Sequence, residues 1–282
     1  MTASLKAHQK EGVAWIVQQL EHGGGVVLAD DVGMGKTRQG ARVLHAFMQR
    51  ATDRKQPFKA LVLAPASLLR DERVEWLREL QRLPGRAPLV WTFLGARVQP
   101  FTSEVTLAGR RVQLLEVYDV VLTSYETFLG HAGLFSAALF DLVILDEAHR
   151  IKRAASQTAQ AVKQRLRSTP RRLALTATPV ERSWRELESI LQFLQPRLCA
   201  ASLQRLGPQL CLRRSSEGLI PTPTLVQLEV ELSAPQCELY ARLAAQRPLL
   251  SSLVLHQQQE LVCAHPWCFQ KQFERTRAGG AA

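Results

Sequence analysis

The chain has 282 residues, long for one small domain and short for two large ones. Hydrophobic residues make up 46% and charged residues 22%, an ordinary globular composition with enough apolar content for a sizeable core. No apolar run approaches bilayer-spanning length and the first twelve residues, "MTASLKAHQKEG", contain no secretory core, so membrane insertion and export are both excluded as expectations. The default is a cytoplasmic protein, nucleoid-associated if the host is a bacterium. The formal net charge of +11 suits a polyanion such as nucleic acid, although a basic surface without any partner has the same charge.

Short apolar runs alternate with longer amphipathic stretches. "GVVLAD" (25–30) predicts a buried strand, followed by a helix over about 37–50. "ALVLAP" (60–65) predicts a second strand, followed by a helix through "SLLRDERVEWLRELQRL". "APLVWTFL", "YDVVLTS" (118–124) and "FDLVILDEAH" (140–149) each add an apolar run, and "RRLALTATP" (171–179) adds the last, before a helix through "RSWRELESILQFL". Continuous apolar strands separated by helices predict an α/β fold: a parallel sheet with helices on both faces. After Pro196 the pattern weakens. "LVQLEVEL" alternates as an extended strand would, a helix is expected over 235–247, and the end, "FERTRAGGAA", is expected to fray.

Cysteines stand at 199, 211, 237, 263 and 268. Their odd number and the lack of a leader argue against a disulfide framework. "CAHPWC" brings Cys263, His265 and Cys268 together, but no fourth ligand stands at matching spacing, so buried or free thiols are favoured over a metal site.

"LADDVGMGKTRQG" (28–40) has the layout that cradles phosphates: a strand, a glycine-rich turn, and Lys-Thr opening a helix whose amide groups and positive end face an anion. Gly33, Met34 and Gly35 would form the turn, where the two glycines let the backbone approach a ligand. Lys36 would reach the outer phosphates and the Thr37 hydroxyl would hold Mg²⁺. Asp30 stands where the strict pattern has its first glycine, and a Gly-x-Gly-Lys-Thr turn also arises by chance. "LVILDEAH" then puts Asp146 and Glu147 at the end of a buried strand, where open α/β sheets bind ligands. Asp146 suits a hard cation and Glu147 can orient or deprotonate a water; the alternative is a solvated acidic turn. "LTATP" supplies the hydroxyls of Thr176 and Thr178 at another strand end, a weak signal taken alone.

Taken together, "LKAHQKEGVAWI", "LADDVGMGKT", "LVLAPASLL", "YDVVLTSYETF", "LVILDEAHRIK" and "RLALTATPVE" resemble, in order and spacing, the motifs of superfamily-two helicases, with a DEAH box at Asp146 to His149. The flanking words resemble the Swi/Snf-type branch of DNA translocases, in which an Asp at the position of Asp30 is usual. The resemblance implies a P-loop NTPase with a RecA-like sheet. It implies an ATP-binding lobe over residues 1–197 and, over 198–282, a mainly helical connector. It further implies ATP and Mg²⁺ as cofactors and double-stranded DNA, held by its backbone, as partner. On this basis Gln9 would recognise the adenine edge with His8 near the ring, and Lys36, Asp146 and Glu147 would carry the chemistry. Ser67, Thr123 and Ser124 would lie along the nucleic-acid path, and Thr176 and Thr178 would couple nucleotide state to movement.

The sequence also departs from the family. Arg153 and Arg182 stand where Asn is usual, and "SLLRDERVEW" lacks an Asn-Trp directly after the leucines. Nothing after Phe269 resembles the glutamine- and arginine-rich motif that closes the family's second RecA-like lobe. A second lobe is therefore expected to be missing from these residues, with a separate chain carrying it as one explanation. ATP hydrolysis by the isolated chain is accordingly an open expectation. The competing function is a nucleotide- or DNA-binding module that does not hydrolyse, or a truncated remnant.

Overall fold

A computed structural model describes residues 4–69, 74–95, 104–107, 110–179, 183–219, 229–245 and 252–264. They form two compact units, divided between residues 222 and 223. The first unit runs α1 (Ala7–Leu20), β1 (Gly24–Leu28), α2 (Lys36–Asp53), β2 (Ala60–Ala64), α3 (Glu75–Gln81) and β3 (Val90–Phe93). It continues with β4 (Glu104–Leu107), β5 (Arg110–Gln113), α4 (Leu114–Val117), β6 (Val120–Ser124), α5 (Tyr125–Gly130) and β7 (Leu142–Asp146). It ends with α6 (Gln157–Leu166), β8 (Arg171–Leu175), α7 (Trp184–Leu194), α8 (Ala200–Leu206) and β9 (Cys211–Leu212). The second unit holds α9 (Ala234–Ala245) and α10 (Ser252–Ala264).

The strands β2, β6 and β7 are buried at every position. A strand that is apolar on both sides needs cover on both faces, which parallel strands with crossover helices provide. The sheet has the order β3-β6-β2-β7-β8-β1-β9, and every pairing within it is parallel. Alternate residues feed two cores. On one face Val27, Leu61, Leu63, Val143 and Leu145 pack with Phe128, Val162, Leu166 and Ile190 of α5, α6 and α7. On the other, Val26, Leu28, Val62, Ile144 and Leu173 pack with Ile16, Leu44, Phe47 and Trp76 of α1, α2 and α3. The period of two along each strand divides one apolar run between two cores.

The register positions the site. Leu28 of β1 and Asp146 of β7 both pair with Leu175 of β8, which lies between them. The three strands therefore end level, and the loops that follow them leave from one edge of the sheet.

Several elements differ from the sequence expectation. The helix expected through "SLLRDERVEWLRELQRL" is a 3₁₀ turn at Ala66–Leu68 and the short α3, with residues 70–73 outside the described ones. β4 and β5 form a separate antiparallel pair that no apolar run announces, because β5 reads Arg-Arg-Val-Gln. The boundary expected at 197/198 falls inside the first unit: β9 joins the sheet beside β1, at Val27 and Leu28. In the second unit, α9 begins where expected. Of "LVQLEVEL", residues 225–228 lie outside the described ones and 229–232 take no regular structure. α10 falls within the stretch expected to be mainly helical, and its Leu255 and Val262 pack with Leu239 and Leu243 of α9. The chain end and most of "CAHPWC" lie outside the described residues. No described helix is long and apolar enough to cross a membrane.

Ile144 is fully buried at the middle of β7. Ile144→Ala is expected to cost about 2–5 kcal/mol of unfolding free energy and Ile144→Val about 0.5–1.5 kcal/mol, read from urea midpoints at unchanged m-value.

Candidate nucleotide site

The loop after β1 turns through glycines that the backbone requires. Gly33 and Gly35 have φ of 83° and 75°, the left-handed region that favours glycine. Gly35 also admits a close approach: a Cβ there would stand 2.5 Å from Gln9 Nε2. α2 starts at Lys36, so the amide groups of its first turn have no acceptor within the helix and face the loop. Lys36 Nζ donates to the carbonyls of Asp30 at 2.8 Å and Asp31 at 3.1 Å. Burial pulls the Lys36 ammonium below the usual lysine value, while the carboxylates of Glu147, Asp30, Asp146 and Asp31 pull it back up. The loop lysine and the acidic pair thus share one electrostatic environment.

Asp146 ends β7 and is buried. Its Oδ2 accepts from the Trp76 indole at 2.7 Å and its Oδ1 from the Glu147 amide at 3.0 Å. Burial raises its pKa to about 6, against the opposing effect of the Trp76 hydrogen bond. Glu147 takes a φ of 52°, a strained conformation for a residue with a side chain, of a kind that persists where the surrounding structure imposes it. Its Oε2 lies 3.0 Å from His149 Nδ1, near enough for an ion pair but misaligned for a hydrogen bond. Tyr125, fully buried, donates from its hydroxyl to the Asp146 carbonyl at 2.8 Å.

β8 links the two halves. The Thr176 amide donates to Leu28 O at 3.1 Å, and Thr176 Oγ1 accepts from the Thr178 amide at 3.2 Å. Thr176 is buried and Thr178 exposed. The N-terminal end of α1 closes the loop from the other side: Gln9 Nε2 donates to Met34 O at 3.1 Å, with His8 Nε2 3.4 Å from the same oxygen. Gln9 Oε1 accepts from the Lys6 amide at 3.1 Å.

The sequence-predicted residues therefore fall into two groups. Gln9, Gly33, Met34, Gly35, Lys36, Thr37, Asp146, Glu147, Thr176 and Thr178 lie on α1 or at the ends of β1, β7 and β8, at one edge of the sheet. The expected nucleic-acid residues are split. Ser67 is exposed, in the turn after β2. Thr123 and Ser124, expected along the nucleic-acid path, are both buried, with their hydroxyls engaged within the fold. Thr123 Oγ1 donates to Phe93 O at 2.6 Å, and Ser124 Oγ caps α5 by accepting from the Thr127 amide at 3.0 Å. Sequence reasoning missed Trp76, Tyr125, Gln39 and Arg214. Gln39 Nε2 donates to Asp30 Oδ2 at 3.1 Å, and Arg214 pairs with the same carboxylate.

The donor set fits a nucleotide and a hard divalent cation. It offers an amide-lined turn with a lysine, a threonine hydroxyl at the helix start, and a buried carboxylate at the end of the strand two places away from β1.

Residues 8–202 match the SNF2-related domain. The chain belongs to that family. The DNA repair and recombination protein RAD54-like of Gallus gallus is 31% identical over 206 residues, covering 67% of this chain and 26% of that protein. The chromodomain-helicase-DNA-binding protein 1-like of Mus musculus is 34% identical over 197 residues, covering 69% of this chain and 20% of that protein. This member of the SNF2-related family thus spans about a quarter or less of the length of these relatives. The SWI2/SNF2 ATPase core of Sulfolobus solfataricus, solved in complex with dsDNA, has the same fold: TM-score 0.61 at 23% identity, over 94% of this chain and 59% of that one.

Trp76 links this family member's α3 to its acidic pair. Trp76→Phe leaves a buried carboxylate oxygen without its donor, and is expected to lower stability by about 1–3 kcal/mol in urea unfolding at pH 7.

Proposed function

We propose that these residues form the ATP-binding lobe of a DNA-dependent ATPase of the translocase type, which takes Mg-ATP at the β1, β7 and β8 loops and duplex DNA by its backbone. The observation that carries this is the convergence of the glycine loop, Lys36 and the Asp146–Glu147 pair at strand ends held level by β8. The family membership and the relatives' printed roles on DNA support it.

In this reading, bound Mg²⁺ screens the charge of the phosphates. The chain's own residues do the rest. Lys36, now bonded to the Asp30 and Asp31 carbonyls, would turn to phosphate oxygens, and Thr37 and Asp146 would hold the cation. Glu147, more exposed than Asp146, orients or deprotonates the attacking water. Gln9, which donates to Met34 O, recognises the adenine edge, with His8 near the ring. Thr176 and Thr178 connect the loop strand to β8 and carry changes at the nucleotide into the sheet edge. Ser67 offers an exposed hydroxyl to a phosphate; Thr123 and Ser124 act from beneath by fixing β3 and α5. Such contacts position a duplex without reading its sequence.

Phosphoryl transfer further draws on an arginine that steadies the departing charge, worth about 10³–10⁵ in rate. The described residues form one seven-stranded parallel sheet beside the small β4–β5 pair. In this reading a separate chain supplies the second RecA-like lobe with that arginine.

The test is steady-state ATP hydrolysis by the purified chain with and without duplex DNA, beside Glu147→Gln, together with equilibrium binding of Mg-ATP to Lys36→Ala. ATP binding that vanishes in Lys36→Ala supports the site, and unchanged affinity refutes it. DNA-stimulated turnover lost in Glu147→Gln means a complete ATPase. ATP binding without turnover favours the non-hydrolysing module and directs attention to the partner lobe. DNA affinity is expected to fall more than about tenfold between 50 and 200 mM salt, whatever the duplex sequence, in filter-binding or fluorescence titrations. A salt-independent affinity would remove the backbone-contact assignment.

A further inference from the structure

Residues 211–216 follow the far edge of the sheet and turn back over the nucleotide loop. Beyond the β9 pairing, the Ala29 amide donates to Leu212 O at 2.7 Å and the Asp31 amide to Arg214 O at 3.2 Å. The Ser216 amide donates to Asp31 Oδ2 at 2.9 Å. Both acidic residues of the loop are thus engaged by this segment.

Arg214 is the centre of the contact. Its Nε donates to Asp30 Oδ1 at 3.0 Å, and its Nη2 to Asp30 Oδ2 and, at 3.0 Å, to Gln39 Oε1. Its Nη1 donates to the carbonyl of His8. One guanidinium therefore joins α1, the nucleotide loop and α2. The place is built for it: a Cβ on Gly12 would lie 2.1 Å from Gln39 Oε1 and 2.6 Å from Arg214 Nη2. Asp30 itself is fully buried, at the loop position that the strict phosphate-binding pattern gives to glycine. A carboxylate there, left unpaired, opposes the entry of a polyphosphate, and in a site shielded from water that repulsion is weakly screened.

We propose that Arg214 is a positioning residue of the nucleotide loop, which neutralises Asp30 and fixes the loop against α1 and α2, so that the segment leading out of the sheet sets the affinity for ATP. The inference rests on the assignment of the nucleotide to this loop and deepens it. By linkage, any binding event that draws residues 211–216 away from the loop weakens ATP binding, and bound ATP holds that segment in place to the same degree.

Calorimetric titration of Mg-ATP and Mg-ADP into the wild-type chain, R214A, R214K, D30N and D30N/R214A tests this, with urea unfolding to establish that each variant folds. R214A is expected to bind ATP at least about tenfold more weakly than wild type. R214K falls between them, because one ammonium cannot span the carboxylate, Gln39 and the His8 carbonyl together. D30N/R214A regains most of the loss, since the unpaired carboxylate is gone; a contact that only supports the fold gives no such rescue. Absence of ATP binding by the wild type overturns the nucleotide assignment itself. ATP binding by the wild type, with equal affinity in either Arg214 variant that folds, overturns the role of Arg214. A loss in R214A that D30N leaves unrepaired overturns the charge pairing.

Discussion

Three parallel strands that end level are the constraint on which the site depends. β8 lies between β1 and β7, and Leu175 pairs with both Leu28 and Asp146. Parallel strands send all their following loops to the same edge, and shared register puts those loops at the same height. The glycine turn, the threonine pair and the acidic pair are otherwise far apart in sequence. A slip of one residue in β7 would turn Asp146 to the opposite face of the sheet, and the two cores that flank β7 resist such a slip because every residue of the strand is buried.

That edge concentrates charge that the fold alone has no use for. Asp146 is buried with its pKa raised to about 6, Asp30 is fully buried, and Glu147 is held in a left-handed conformation. Each of these costs stability in a protein without a ligand. The surroundings offset part of it: Trp76 for Asp146, Arg214 and Gln39 for Asp30, and loop carbonyls for Lys36. A set of groups held in unfavourable states by specific partners is the arrangement expected where binding, rather than folding, determined the residues.

Much of this was legible from consecutive residues. Apolar runs revealed the main strands because parallel strands are buried on both faces, and "GMGKT" and "LDEAH" carry their chemistry within a few positions at strand ends. What was not legible lies across long separations or in weak elements. Trp76 meets Asp146 across 70 positions and Arg214 meets Asp30 across 184, and no local pattern announces either pair. β9 is two residues long, too short for any periodicity, so a boundary drawn at 197/198 missed the strand beside β1. Thr123 and Ser124 carried the right chemistry for phosphate contact, but a hydroxyl at a strand end serves equally well to cap the next helix or to hold the neighbouring strand, and burial decided it.

The long separations also bear on how the site forms. The nucleotide loop is local in sequence, but its conformation is set by α1 through Gln9 and His8, by β8 through Thr176, and by residues 212–216. Contacts of such separation pay a loop-closure entropy that local contacts escape. A fragment ending after the first βα unit would contain every residue of the phosphate-loop pattern yet would lack the sheet neighbours that bring Asp146 to it and the arginine that pairs with Asp30. Under the proposed assignment, nucleotide binding therefore belongs to the completed sheet, up to and including β9, and not to the loop motif alone.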